Sequence, residues 1–217
     1  MSDLVTVILA AGKGTRMKSK LPKVLHKAGG KSMVQHVLDA ARSAGAKRNI
    51  VVTGFGGEMV REALGNQAEF VEQKEQLGTG HAVQQTADLL AGENGTVMVL
   101  CGDTPLLTGA LLKKLYDEHV AAGAKATVLT AIMPDATGYG RIIRLADGSV
   151  ARIVEHKDAT EAERQVQEVN SGIYCFAARE LFETMNRYRY CVLIAASMAC
   201  SASSIAWAQA VLPSDGD

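Results

Sequence analysis

Short apolar runs alternate with longer amphipathic stretches over the first two thirds of this chain. Residues 5–9, 49–53, 96–100 and 126–132 are runs of five to seven mostly apolar, β-branched positions, the pattern of strands. Between and after them, 33–44, 57–64, 80–90 and 106–121 repeat apolar residues at helical spacing. Strands alternating with helices predict βαβ units, and strands apolar at nearly every position are those covered on both faces. The expected fold is therefore α/β, a Rossmann-like, doubly wound and mostly parallel sheet with helices on both faces. From 138 to 172 the rhythm changes to short strands and turns around a charged insert, which predicts a small β-rich insertion.

A second break follows residue 189. Positions 190–214 carry no charge and are rich in Ala, Ser and Cys. The length would admit a membrane span, but serines, alanines and Gln209 stand where a span would carry Leu, Ile, Val and Phe, so no membrane anchor is expected. The expected organisation is one domain over 1–189 and an atypical tail over 190–217, read as disordered or frame-shifted.

Composition narrows the partners. The 217 residues carry 23 Lys+Arg and 23 Asp+Glu, so no overall field draws the chain to nucleic acid or to an anionic membrane. Cys101, Cys175, Cys191 and Cys200 form no C-x-x-C pair, and Met1-Ser2-Asp3 leads directly into a strand. A cytoplasmic protein is expected.

The chemistry is concentrated where the first strand ends. LAAGKGTRM, residues 9–17, places two glycines, a lysine and an arginine directly after it, and LPKVLH follows at 21–26. Glycines let backbone N–H groups approach anionic oxygens, and Arg16 and Lys23 supply countercharge for a triphosphate or pyrophosphate. Lys13 reads equally well as a further phosphate contact or as a solvated loop charge. Two familiar phosphate loops are excluded by spacing: Met17 stands where the third glycine of G-x-G-x-x-G belongs, and G-x-x-x-x-G-K-[ST] is absent. Cys101-Gly102-Asp103 closes the strand at 96–100, so it should meet the Gly12 loop at one edge of the sheet, where ligands of such folds bind.

With QLGTGHA at 76–82, GDTPLL at 102–107, TGYGRI at 137–142, EHKDA at 155–159 and NSGIY at 170–174, the ordered motifs resemble those of sugar-phosphate nucleotidyltransferases. They are most similar to the uridyltransferase domains of bifunctional N-acetylglucosamine-1-phosphate uridyltransferase/glucosamine-1-phosphate acetyltransferases, over roughly residues 4–187. The resemblance implies transfer from UTP to N-acetylglucosamine 1-phosphate, giving UDP-N-acetylglucosamine and pyrophosphate with Mg²⁺. It implies that Leu9, Ala10, Ala11, Gly12, Lys23, Gln73, Gly78, Thr79, Cys101, Gly102 and Asp103 line the nucleotide. Gly140, Glu155 and Asn170 would receive the sugar, Arg16 and Lys23 would be catalytic, and Asp103 would hold the metal.

Without the resemblance, Asp103 would be read as a helix cap near Thr104-Pro105, and Thr79 as an N-cap. Cys101 replaces the tyrosine usual in the family, and the family's asparagine-bearing return to the metal finds no match in the tail. The family's full-length proteins are homotrimers through an acetyltransferase domain whose repeats are absent here. The alternatives are another sugar-1-phosphate uridylyl- or thymidylyltransferase and an inactive nucleotide-sugar-binding fragment.

Overall fold

The computed structural model describes residues 3–14, 17–188 and 205–210. β1 (Leu4–Ala10) leads to a small hairpin, β2 (Lys27–Ala28) and β3 (Lys31–Ser32), then to α1 (Met33–Ser43), β4 (Arg48–Thr53) and α2 (Gly57–Leu64). β5 (Glu69–Glu72), α3 (Thr79–Gln84), β6 (Thr96–Cys101), α4 (Gly109–Ala121) and β7 (Ala126–Ile132) follow. The chain continues through β8 (Arg141–Arg144), β9 (Val150–Val154), α5 (Glu161–Arg164), β10 (Glu168–Ala177), α6 (Ala178–Tyr188) and β11 (Ile205–Ala210).

The main sheet runs β11-β7-β10-β6-β1-β4-β5, with β8 and β9 extending from β10. β1 pairs in parallel with both β4 and β6, and β4 with β5. β10 is antiparallel to both β6 and β7, and β11, within the uncharged stretch, pairs in parallel with β7. The sheet is thus mostly parallel with helices on both sides. Chain order reverses between β1 and β6, which makes the carboxyl ends of those two strands the natural ligand crevice.

β1 shows why the apolar runs are unbroken. Its Leu4, Ile8 and Ala10 join a cluster with Val37 and Leu38 of α1, Val60 of α2 and Leu112 and Leu115 of α4. Its Val5 and Val7 point the other way, into a cluster with Val83 of α3 and Leu181 and Met185 of α6. Every side chain of such a strand leaves water, so each position must be apolar or satisfied in place, as Thr6 is by donating to Asn49 Oδ1 at 2.7 Å.

Two helices are shorter than their periodicity predicts. α3 ends at Gln84 rather than continuing to 90, and the buried Thr86 hydroxyl donates to Val83 O at 2.7 Å, offering the backbone a turn instead of another helical bond. α4 begins at Gly109 rather than 106 because Thr108 caps it, its hydroxyl accepting from Leu111 N. Asp103 is therefore not the cap of that helix.

Candidate active site

β1 and β6 deliver their C-terminal loops side by side. Gly102 N donates to Leu9 O at 2.9 Å, and a Cβ at Gly102 would lie 2.8 Å from that same oxygen, so only glycine lets the β6 loop sit this close to the end of β1. The close approach sets Asp103 beside the Gly12 loop. Lys23 Nζ then donates to Asp103 Oδ2 at 2.6 Å, across 80 residues of sequence, with both side chains partly exposed.

Lys23 is held from three sides. It opens a 3-10 turn whose Val24 and Leu25 are buried. Pro22 packs where a Cβ on Gly56 would come within 2.4 Å of its ring. Gly14, with φ of +56°, passes so near Lys23 that a Cβ there would lie 2.8 Å from Lys23 Cβ. The Leu21-Pro22-Lys23 clip thus returns a cation to the glycine loop, as its sequence predicts.

A cavity of about 380 Å³ opens at this edge, within the range of small-molecule sites. Leu9, Ala11, Gly12, Gln73, Gly78, Thr79, Cys101 and Asp103 line it together with Val24, Gln76 and Ala82. Gln76 Nε2 donates to Ala11 O at 2.8 Å, tying the 76–79 loop over the end of β1. The buried Gln73 donates from Nε2 to Gly78 O at 3.1 Å and lies 3.1 Å from His81 Nδ1, which selects the imidazole tautomer protonated at Nε2 if both contacts are made. Gly78, with φ of +101°, occupies the N-cap of α3. Thr79 is the first helical residue, not the cap its sequence context allows, and is left to face the cavity.

Cys101 is half-buried in the wall. Burial, helped by the Asp103 charge and opposed by Lys23, pushes its thiol up to about 11, so it is a neutral wall atom at physiological pH. Its Sγ lies 3.7 Å from Gly172 O, in the bulge where β10 shifts register against β7 between Asn170 and Tyr174.

Beyond that bulge the three sugar-side candidates meet. Asn170 N donates to Gly140 O at 2.9 Å, and a Cβ on Gly140 would stand 3.4 Å from Glu155 Oε1 and 3.7 Å from Asn170 Cβ. The Asn170 side chain is already engaged, Nδ2 donating to the Tyr174 hydroxyl at 2.7 Å and Oδ1 accepting from Gly172 N at 3.0 Å. Gly140, Glu155 and Asn170 do not line the cavity. Ala10, Gly102 and Lys23 are not among its lining residues, and Lys23 pairs with the lining Asp103. Arg16 lies outside the described residues.

Sequence reasoning missed Val24 and Ala82. Each follows a quoted functional residue by one to three positions, and small or branched side chains there carry no chemical signal of their own. Gly172 was missed as well, although a glycine inside a strand pattern is a signal of a bulge or a close approach.

Among the described residues no group of three His, Cys, Asp or Glu side chains could hold a metal ion. Asp103 still fits Mg²⁺, because that ion commonly takes one or two protein carboxylates and fills its shell with substrate phosphates and water. Among the described residues no helix is long and apolar enough to cross a membrane.

Residues 6–190 match the MobA-like NTP transferase domain family. The bifunctional protein GlmU of Geobacillus thermodenitrificans is 56% identical over 181 residues, 83% of this chain and 39% of that protein. GlmU of Bacillus cereus strain AH187 is 54% identical over 187 residues, 86% of this chain and 41% of that protein. The chain thus spans about two fifths of the length of these relatives. Two solved structures share the fold. A UDP-glucose pyrophosphorylase from Acinetobacter baumanii gives a TM-score of 0.76 at 19% identity, covering 96% of this chain and 86% of that one. A chain assigned as a glucose-1-phosphate thymidylyltransferase from Bacillus anthracis gives 0.80 at 17%, covering 95% and 87%.

Proposed function

The chain belongs to the MobA-like NTP transferase domain family, and from that premise we propose that it moves a uridylyl group from UTP to N-acetylglucosamine 1-phosphate. The observation that carries the proposal is the meeting of Lys23 and Asp103 at the mouth of a cavity placed on the switch point of the sheet. A cation and a carboxylate at such a place suit a reaction whose reactants are all anions. The similarity to GlmU proteins over most of this chain supports the choice of base and sugar.

In this reading the Gly12 loop, Arg16 and Lys23 receive the triphosphate. Gln73, Gly78 and Thr79 present amide, carbonyl and hydroxyl groups to the uracil edge, and Gly140, Glu155 and Asn170 hold the sugar hydroxyls and the acetamido group. A phosphate oxygen of the sugar phosphate attacks the α-phosphorus of UTP, and the bond from that phosphorus to the bridging oxygen of pyrophosphate breaks. The attacking oxygen is already anionic, so no general base is needed. Lys23 offsets the charge that gathers on the leaving pyrophosphate. Asp103 would hold Mg²⁺, which neutralises phosphate charge when bound.

The test is a coupled pyrophosphate-release assay with a panel of nucleotides and sugar 1-phosphates. Release should be fastest with UTP and N-acetylglucosamine 1-phosphate and should stop in EDTA. No release from folded protein at saturating substrates and Mg²⁺ rejects turnover by this chain, and a faster rate with dTTP or another sugar phosphate rejects the substrate assignment.

A further inference from the structure

Arg141 is 2% exposed, at the first position of β8. Arginine is rarely buried so completely unless its charge is met, and here the described contacts are not to a carboxylate. Nη1 donates to Tyr139 O at 2.5 Å, and Nη2 donates to Arg164 O at 3.3 Å and lies 3.4 Å from His156 Nδ1. Nε has no partner. A methionine or leucine would fill the space without the cost of burying a cation. The guanidinium therefore contributes something other than bulk.

Its contacts show what that is. They tie the turn ending at Tyr139 and the residue after Glu155, already neighbours through the β8–β9 ladder that pairs Arg141 with Val154, to the carbonyl at the end of α5. Gly140 lies between Tyr139 and Arg141 in the chain, and Glu155 immediately precedes His156. β8 meets β10 at a single register pair, Val169 with Arg141, and the bond from Asn170 N to Gly140 O is the described backbone link beside it. The arginine thus touches Tyr139 and His156, the chain neighbours of Gly140 and Glu155.

We infer that Arg141 is a positioning residue for the sugar side of the site, setting the spacing of Gly140 and Glu155 through the backbone it clamps and making no contact with substrate. The inference rests on the proposed uridyltransferase reading, because it assigns the sugar to that cluster. The fork geometry matters: two nitrogens of one rigid plane reach Tyr139 O and Arg164 O together, which the single ammonium of lysine cannot do.

Calorimetric titration with UDP-N-acetylglucosamine and with UDP, on the wild-type chain, Arg141→Lys and Arg141→Met, separates this role from a merely structural one. In both variants the Kd for UDP-N-acetylglucosamine should rise about tenfold, a modest loss for a misplaced contact, while the Kd for UDP stays within about twofold. Equal shifts in both ligands, or no shift in either, overturn the inference. His156→Ala keeps the cation and removes one partner. It should move the two Kd values in the same unequal sense by a smaller factor, and equal or absent shifts there overturn the inference even if the Arg141 variants fail to fold. A wild type that binds UDP but not UDP-N-acetylglucosamine instead rejects the sugar assignment, and the inference falls with it.

Discussion

Lys23 and Asp103 cancel one another's charge, and the bond between them is weak enough to yield. Their side chains are 44% and 33% exposed, and pairs in such settings contribute about 0–1 kcal/mol. In the proposed reaction a triphosphate would take the ammonium and leave the carboxylate free. In Lys23→Met we expect UTP to bind at least about tenfold more weakly, a loss of about 1.4 kcal/mol, whereas Mg²⁺ alone should bind no more weakly than to wild type. Calorimetry on each ligand checks this, and undiminished UTP affinity would remove Lys23 from the site. Gly102→Ala tests the same place from the backbone, since its new Cβ would meet Leu9 O, an atom that cannot swing aside. A loss of about 1–3 kcal/mol in urea unfolding is expected, and a neutral substitution would show that the β1 and β6 loops are not held as closely as described. That the glycine loop and Lys23 would meet at this edge of the sheet was legible, because a glycine-rich turn after β1 and a cation shortly beyond it form a recognisable local pattern. That Lys23 finds Asp103 was not, since no local pattern links charges 80 residues apart.

The elements were legible where burial is uniform and obscure where it is partial. β7 and α2 have the limits their patterns predict, because both faces of the strand and one stripe of the helix are apolar. β5 escaped notice, since Glu69-Phe70-Val71-Glu72 at the sheet edge is only half buried and offers two apolar residues. α4 carries a polar residue on its buried side: His119 is 2% exposed, its Nδ1 2.8 Å from Thr127 Oγ1 of β7. Burial holds its pKa down at about 4, against 6.5 for an ordinary imidazole, so the folded state keeps it neutral where the unfolded chain would take up a proton. The stability this gives is complete above pH 6.5 and is lost as pH falls from there toward 4, by up to about 3 kcal/mol. Ion-paired carboxylates such as Glu69, whose pKa Arg48 lowers, add acid sensitivity only below the normal carboxylate range. Urea unfolding at pH 7.5 and pH 5 should therefore differ in wild type by an amount that His119→Gln abolishes. An unchanged difference in that variant would place the acid sensitivity elsewhere.

At the scale of the molecule, alternation along the chain predicts a doubly wound sheet, and the change of rhythm after 138 predicts a small β-rich insertion; both are present. It does not predict that one antiparallel strand, β10, is wedged between β6 and β7, because antiparallel and parallel strands buried on both faces have the same apolar signature. That strand joins the two halves of the site. Asn170 lies on it beside Gly140, and two residues later Gly172, with φ of +78°, faces Cys101 in the cavity wall. A Cβ at Gly172 would lie 3.3 Å from Cys101 Sγ. Gly172→Ala should accordingly cost about 1–2 kcal/mol through its left-handed backbone alone. It should also weaken UDP and UDP-N-acetylglucosamine together, unlike the Arg141 variants, because the displaced bulge presses on the wall shared by both ligands. A double-mutant cycle with Cys101→Ala separates the two causes. Removing the sulfur frees the space the new methyl needs, so the double variant should recover UDP affinity while retaining the stability loss. Strictly additive effects on UDP binding would mean that β10 and the nucleotide wall do not communicate through this contact.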